Sequence, residues 1–461
     1  MVVIKLKKPK KGEDGHLFVE QHPDNFISER PGTQGMYCRY VGKNNAAFEV
    51  LPRIENIRIA LSRLGIWAKY NAFTRFIEIG GKVSPLPEGA LDDAHLSFLR
   101  HKIESRFGLK QREGDLYSSL KAIARDNQYD PLSEYFLSLE WDGEERAEQI
   151  WIGFANAEDT PLNRAYGERF LTGIAARALF PGIKMDEVIT LIGDQGCGKS
   201  NLARSLAPIS EGTFTDQVII GSDAKKILEQ TRGKSLCEHA EDFRGKYAEE
   251  QRKHCLSTTH DRAREAYGKT AVEVPRRFLF VVTTNNDNPV QDPTGARREW
   301  IIPTTGQFTP LSHEIRNHLY AEIMETKIRP ILNSGLSEAD QRKKVRKLLT
   351  LPKELRKDQE AIAHMSRAIP DMYVMVKLGL MKLHYPEAVS KVDLLEAIAL
   401  SEGKIDKTRS LDQKIGETMI WVGYSSIRKK INNKLHRYYV WEKPGDPSSA
   451  FDGAIEQLQY S

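Results

Sequence analysis

The chain has 461 residues, enough for about three domains at ~150 residues each, and 40% hydrophobic, 8% aromatic and 28% charged residues, which excludes a disordered, collagen-like or membrane-embedded class. Its 68 basic and 63 acidic residues give a formal charge of +5, a mild excess that permits nucleic-acid binding without arguing for it. No run of about 18 apolar residues appears, so no transmembrane helix is expected, and four cysteines without a CxxC pairing (Cys38, Cys197, Cys237, Cys255) argue against a disulfide framework or a zinc ribbon. The start, MVVIKLKKPKKGEDG, is basic without the apolar core of a signal peptide, so a cytoplasmic location is expected.

In chain order, residues 1–45 read as a basic flexible arm, with five lysines between Lys5 and Lys11 followed by an aperiodic Pro/Gly/polar stretch. Residues 46–160 read as an α+β domain. IENIRIALSRLG is an amphipathic helix closed by Gly65, NAFTRFIEIGG a strand pair, and AHLSFLRHKIESRFG a helix started by Asp92 and Asp93. From 161 to 310, short apolar runs alternate with helical stretches, which is the α/β signature. The runs DEVITLIG, RGKSLCE and RRFLFVVTTN each end in polar residues, and such residues at the carboxyl ends of parallel strands are where these sheets bind ligands. Residues 311–375 read as a helical, charge-rich lid or linker whose basic stretch QRKKVRKLLTLPKELRK is mainly a solvated face. In 376–461, two amphipathic helices precede SIRKKINNKLHRYYVWEKP, a strand, an Asn432-Asn433 turn and a second strand. Helix, helix and basic hairpin is a winged-helix layout, with Arg428, Lys429, Lys430, Lys434 and Arg437 placed to meet phosphates.

The strongest motif is Gly193-Asp194-Gln195-Gly196-Cys197-Gly198-Lys199-Ser200, a complete Walker A pattern after the apolar run VITLI and before the helical SNLARSL. Its glycines allow successive backbone N–H groups to curl around phosphate oxygens, and the helix start adds partial positive charge. Lys199 then reaches the β- and γ-phosphates, Ser200 holds Mg²⁺, and Asn201 follows at the edge of the site. An exposed Lys199 is expected in the empty loop. The metal-holding acid belongs at the end of a neighbouring core strand, where Glu238, Glu241 and Asp242 stand. Mg²⁺ takes one or two carboxylates plus water and phosphate oxygens, so Glu238 is assigned to metal and Glu241 to the attacking water, and the two could be exchanged. Asn285, at the tip of FLFVVTT, is placed to orient that water and sense the γ-phosphate. The pair Arg297 and Arg298, directly before WIIP, is placed to reach a neighbouring subunit's γ-phosphate.

Taken together, DPLSEYFLSLEWDG, GDQGCGKSNLARSLA, SLCEHAE, DRAREAYG, VVTTNN and DPTGARREW, in that order, resemble the virulence-associated E family. These are phage and genomic-island ATPases related to superfamily 3 helicases and poxvirus-type primase–helicases. The resemblance covers about Tyr129 to Pro303. It implies an AAA+ module that binds ATP and Mg²⁺, forms a ring (usually a hexamer) and unwinds DNA during replication of a mobile element. It also assigns Asp261, Arg264 and Tyr267 to a family segment, and places Lys269 at the tip of a DNA-touching hairpin, AYGKTAVEVPRR. The chain shows no primase polymerase domain, so priming falls to another protein or is absent. A replication initiator or regulator that remodels complexes without processive unwinding remains the competing expectation.

Overall fold

In the computed structural model of the chain, residues expected to form an arm include a strand, Tyr37–Val41. The structure describes residues 25–41, 47–82, 85–239, 246–264, 271–286, 298–304, 306–365, 373–402, 409–431, 434–441 and 447. β1 (Asn25–Ile27), β2 (Tyr37–Val41) and β3 (Ala47–Val50) pair antiparallel in that order. The flexible arm expected over 1–45 is therefore corrected from residue 25 onward. Met36 and Cys38 are fully buried, Arg63 donates to the carbonyls of Gly32 and Gln34, and Asn56 binds Tyr37 through both its N–H and its carbonyl. The lysine run lies outside the described residues.

Next come α1 (Ile54–Leu64), β4 (Ile66–Asn71), β5 (Phe76–Gly81), β6 (Gly89–Ala90), α2 (Asp93–Phe107), α3 (Glu113–Asp126) and β7 (Gln128–Tyr129). Gly65, at φ 68°, ends α1 as expected, and the Asp92 carboxylate caps α2 by accepting from the His95 amide at 2.8 Å. The sheet runs β6-β5-β4-β7. Period-two alternation sends Ile66, Ala68, Tyr70, Ile77 and Ile79 into a core with the three helices, and leaves Trp67 and Lys69 on the open face.

The central body begins with α4 (Pro131–Ser138), α5 (Ile150–Ala155) and α6 (Pro161–Leu179). It continues through β8 (Val188–Ile192), α7 (Lys199–Ser205), β9 (Phe214–Thr215), α8 (Ala224–Gln230), β10 (Leu236–His239), α9 (Lys246–Ser257), β11 (His260–Arg264), β12 (Ala271–Pro275), β13 (Leu279–Thr284) and β14 (Glu299–Pro303). Among the described residues β14-β8-β13-β10-β9 form an all-parallel sheet, and β11 and β12 a separate antiparallel hairpin. The chain then runs through α10 (His313–Ile323), α11 (Arg329–Leu332), α12 (Glu338–Leu349) and α13 (Lys353–Met365). Leu132, Phe136, Ile150 and Trp151 share one core with α6, the sheet, and Tyr320, Val345 and Leu349. The boundary expected at residue 160 thus falls near Asp130. Most of the segment expected to be a lid packs into the central core, and its basic stretch is two helices split before Pro352.

The carboxyl-terminal part comprises α14 (Tyr373–Lys382), β15 (Ala388–Ser390), α15 (Lys391–Glu402), α16 (Arg409–Val422), β16 (Tyr424–Ile431) and β17 (Lys434–Trp441) around its own core of Val376, Leu380, Ile398, Met419 and Tyr439. Its sheet order is β15-β17-β16. α14 and β15 are additions to the helix-helix-hairpin pattern read from the sequence. No helix among the described residues is long and apolar enough to cross a membrane.

Two buried ion pairs brace the central sheet. Arg276 and Asp261 meet in a bidentate contact with both oxygens at 2.7 Å, and Arg252 lies 2.6 Å from Glu299, which also accepts from Thr190. Arg177, buried nearby and donating to the Arg276 carbonyl, is pushed down to about 9 by burial and then by the Arg276 charge. Asp261 is thus the carboxylate that compensates a buried cationic cluster. Asp261→Ala is expected to cost about 3–5 kcal/mol in denaturant unfolding, because it leaves Arg276 buried and unpaired. A change under about 1 kcal/mol would mean that water replaces the carboxylate.

Candidate functional site

β8, β10 and β13 end on the same edge of the sheet, and their side chains alternate between its two faces. Ile189, Leu191, Leu236 and Val281 face α6 and α7, whereas Val188, Cys237, Phe280 and Val282 face a second cluster with Ile227 and Leu256. Parity therefore puts Glu238, Thr283 and Asn285 on the α7 side. It sends His239 to the other face, where its Nδ1 lies 3.4 Å from the Val218 carbonyl. This alternation is why Glu238 meets the glycine-rich loop and its neighbour does not.

The loop between β8 and α7 turns through Gly196 and Gly198, at φ 81° and 97°. Gly198 is doubly constrained, since a Cβ there would sit 3.0 Å from the Phe308 carbonyl oxygen. Phe308 also donates its amide to the Cys197 carbonyl at 2.7 Å, so the segment after β14 clamps the loop from behind.

Lys199 is folded inward. Its Nζ donates to the carbonyls of Gly193 and Asp194, both at 2.7 Å, and to Asn285 Oδ1 at 2.9 Å. These three acceptors match the three protons of an ammonium. The exposed lysine expected from the sequence is corrected on this point: Lys199 is 8% exposed, because the loop's own carbonyls offer better partners than water at the rim. Ser200 Oγ donates to Glu238 Oε1 at 2.5 Å, and Thr283 Oγ1 donates to the same oxygen at 2.6 Å. Glu238 is buried, and these two hydroxyls replace the water it has lost.

A cavity of about 480 Å³ opens over this group, lined by Gln195, Gly196 and Gly198 from the loop, Lys199, Ser200 and Asn201 from the start of α7, and Thr283 to Asn286 at and just beyond the end of β13. Gly193, Asp194 and Cys197 complete the loop, Asp194 on the outside and Cys197 buried. Thr283 went unnoticed in the sequence, although its place two residues before Asn285 puts it on the same strand face. Among the described residues no cluster of three or more His, Cys, Asp or Glu side chains could hold a metal ion. A cation here would have to draw on Ser200, Glu238 and oxygens brought by a ligand.

Other assigned residues lie elsewhere. Arg298 is half-buried immediately before β14, the outer strand of the sheet, on the side away from β13. Glu241, Arg297, Lys269 and Tyr267 lie outside the described residues, as does the Arg264 side chain. In the terminal hairpin Arg428 stands directly across from Arg437, and Lys429 from His436. Arg428 and Lys430 are exposed and Arg437 is half-buried, while the Lys429 and Lys434 side chains lie outside the described residues.

Residues 136–346 match the family described as the virulence-associated protein E-like domain. No curated protein matches the chain. Solved structures similar to it include two apo structures of the NrS-1 C-terminal region, residues 305–718. One is 13% identical, with 84% of this chain and 98% of that one covered, at a TM-score of 0.42. The other, described as the A form, is 12% identical over 84% and 98%, at 0.43. A likeness that weak carries no functional weight.

Proposed function

We propose that this virulence-associated protein E-like chain is a Mg²⁺-dependent ATPase of the AAA+, superfamily 3-like class. In this reading it assembles as a ring, most simply a hexamer, and unwinds DNA during replication of a phage or mobile element. The observation that supports the reading is the convergence of Lys199, Ser200, Glu238 and Asn285 on one cavity at the carboxyl edge of a parallel sheet ordered β14-β8-β13-β10-β9. A hydroxyl beside a buried carboxylate is a hard oxygen pair that fits Mg²⁺, which keeps several waters and takes its other ligands from phosphate oxygens. Ser200 and Glu238 would hold the ion, and when bound it neutralises charge on the β- and γ-phosphates.

The chain's own groups do the rest. The loop amides from Gly193 to Gly198 receive phosphate oxygens. Lys199 exchanges a loop carbonyl, or Asn285, for the γ-phosphate. Once Lys199 is drawn away, the Asn285 amide is released toward the attacking water, so one lysine movement couples binding to water placement. Glu241 is proposed as the second carboxylate. Arg298, immediately before the edge strand β14, or Arg297, is proposed to complete a neighbour's site. The β11–β12 hairpin, with Lys269 beyond its described strands, is proposed to face DNA in the ring channel.

The carboxyl-terminal order helix, strand, helix, helix, hairpin supports a winged-helix reading. Like charges directly across a strand pair are destabilising, and the Arg428–Arg437 pair is relieved by an external phosphate. The chain is read as working in the cytoplasm, with a separate primase if priming is needed.

Lys199→Ala is expected to lower ATP hydrolysis by at least about 10²-fold, as loss of a charge-stabilising donor does. Wild-type protein is expected to displace a strand from forked DNA only with ATP. Hydrolysis retained in Lys199→Ala would overturn the site, whereas hydrolysis without strand displacement would favour the remodelling reading. Mixing Arg298→Ala, or Arg297→Ala, with Lys199→Ala should restore part of the activity through interfaces that keep both groups.

Replacing Arg428, Lys430 and Arg437 by serine is expected to flatten the log–log salt dependence of duplex binding by about 0.9 per lost phosphate contact. An unchanged slope would turn the hairpin toward a protein partner.

A further inference from the structure

The open face of the β6-β5-β4-β7 sheet is not a typical solvated surface. Register places Trp67 across from Gly80, Lys69 from Glu78 and Asn71 from Phe76, with Tyr129 next to Asn71 on β7. These side chains therefore share one face. Trp67 is 36% and Phe76 40% exposed, although both are large aromatic residues on short strands. Trp67 lies flat where Gly80 has no side chain: a Cβ there would fall 2.0 Å from the indole. Lys69 Nζ sits 5.1 Å from the Trp67 ring and 5.8 Å from the Tyr129 ring, and the Arg232 guanidinium lies 4.3 Å from the Phe76 ring. The result is a row of aromatic faces with cations between them.

The row leads into a cavity of about 240 Å³ at the seam between this sheet and the central body. Phe73 and Phe278 give it an apolar wall, and Arg75, Arg232 and Lys234 line it together with Arg276 and Arg277. Face and cavity hold six cations (Lys69, Arg75, Arg232, Lys234, Arg276, Arg277) and three carboxylates (Glu78, Asp130, Asp261). Each carboxylate is engaged locally. Asp261 binds Arg276, Asp130 binds Arg277 at 2.7 Å, and Glu78 accepts from Asn71 and Tyr129. Face and cavity thus carry three more cations than carboxylates.

We propose that this face and its cavity bind unpaired DNA, at a place distinct from the ATP cavity and from the terminal hairpin. The chemistry matches on both counts. Exposed aromatic rings stack bases regardless of sequence, and interleaved cations follow the backbone. From Trp67 to Phe76 the face runs four residue steps along β5, about 14 Å at ~3.4 Å per residue, which is the length of about four stacked nucleotides. The cavity at its end has room for one splayed base beside the Arg75 and Arg232 side chains. A duplex cannot present its base faces to this row, so the surface selects single strands. The inference rests on the reading of the chain as a DNA-unwinding ATPase and gives that activity a second strand contact.

The test is anisotropy of fluorescein-labelled oligo(dT) with the full chain, without nucleotide, for wild type, Trp67→Ala/Phe76→Ala and Lys69→Glu/Arg232→Glu. Each double variant is expected to weaken binding about 10-fold or more, while DNA-independent ATP hydrolysis and the native mass of the assembly stay unchanged. Trp67 emission should also be quenched by oligo(dT) in the wild type. Unchanged oligo(dT) binding by both variants, in a chain that hydrolyses ATP, overturns the inference and leaves the ATPase reading standing. Variants that lose binding only together with assembly mass also overturn it, since the face is then a contact between copies. Wild-type protein that binds no oligo(dT) overturns both this inference and the helicase reading.

Discussion

The Glu238 carboxylate is the constraint around which the central body is arranged. Burying an ionised group inside a parallel sheet is costly unless hydrogen-bond donors replace the lost water. Here the donors are Ser200, from the helix after the glycine-rich loop, and Thr283, from the adjacent strand. Satisfying one carboxylate therefore fixes β10, β13 and α7 relative to one another. Lys199, next to Ser200, is carried into place by the same contact and closes on Asn285. The site is pre-organised by the fold's need to satisfy a buried charge.

A second tier of ionic contacts ties the surroundings to this frame. Arg276 and Arg277 precede β13. The first holds Asp261 at the base of the β11–β12 hairpin, and the second holds Asp130 and the Ala178 carbonyl at the end of α6. At the other side of the sheet Glu299 on β14 holds Arg252 of α9, while its backbone carbonyl accepts from Gln359 of α13. Arg276 and Arg277, just before the start of β13, thus tie the strand that leads to Asn285 to the hairpin and to the residue after β7.

Much of this was legible in the sequence because it depends on local rules. The helix ends at Asp92 and Gly65 and the strand-loop-helix context of Lys199 follow from capping and glycine chemistry, and the pairing of β16 with β17 brackets the expected Asn432-Asn433 turn, which lies outside the described residues. Strand parity alone separates Glu238 from His239. What the sequence hid depends on long-range packing. Residues 25–45 resemble a tail in sequence because β1 and β2 are only three and five residues long, and short strands carry little period. Helices 131–155 and 313–349 belong to the central core through Phe136, Trp151 and Tyr320, whose partners lie far away in sequence. The motif alone leaves Lys199 exposed, since the inward-facing carbonyls of Gly193 and Asp194 that hold it depend on the folded loop. Thr283 was overlooked because a threonine in an apolar strand usually signals β propensity, not a hydrogen bond to a buried acid.

The central claim is that Ser200 and Glu238 form the metal side of a nucleotide triphosphate site, and it is tested most directly by equilibrium binding. Calorimetric titration of a non-hydrolysable ATP analogue should show tighter binding with Mg²⁺ than with EDTA in the wild-type chain. In Glu238→Gln, which keeps an oxygen for Ser200 and Thr283, the Mg²⁺ enhancement should vanish while the affinity in EDTA is retained. Binding that is absent, or equally tight with and without Mg²⁺ in the wild type, would contradict the account.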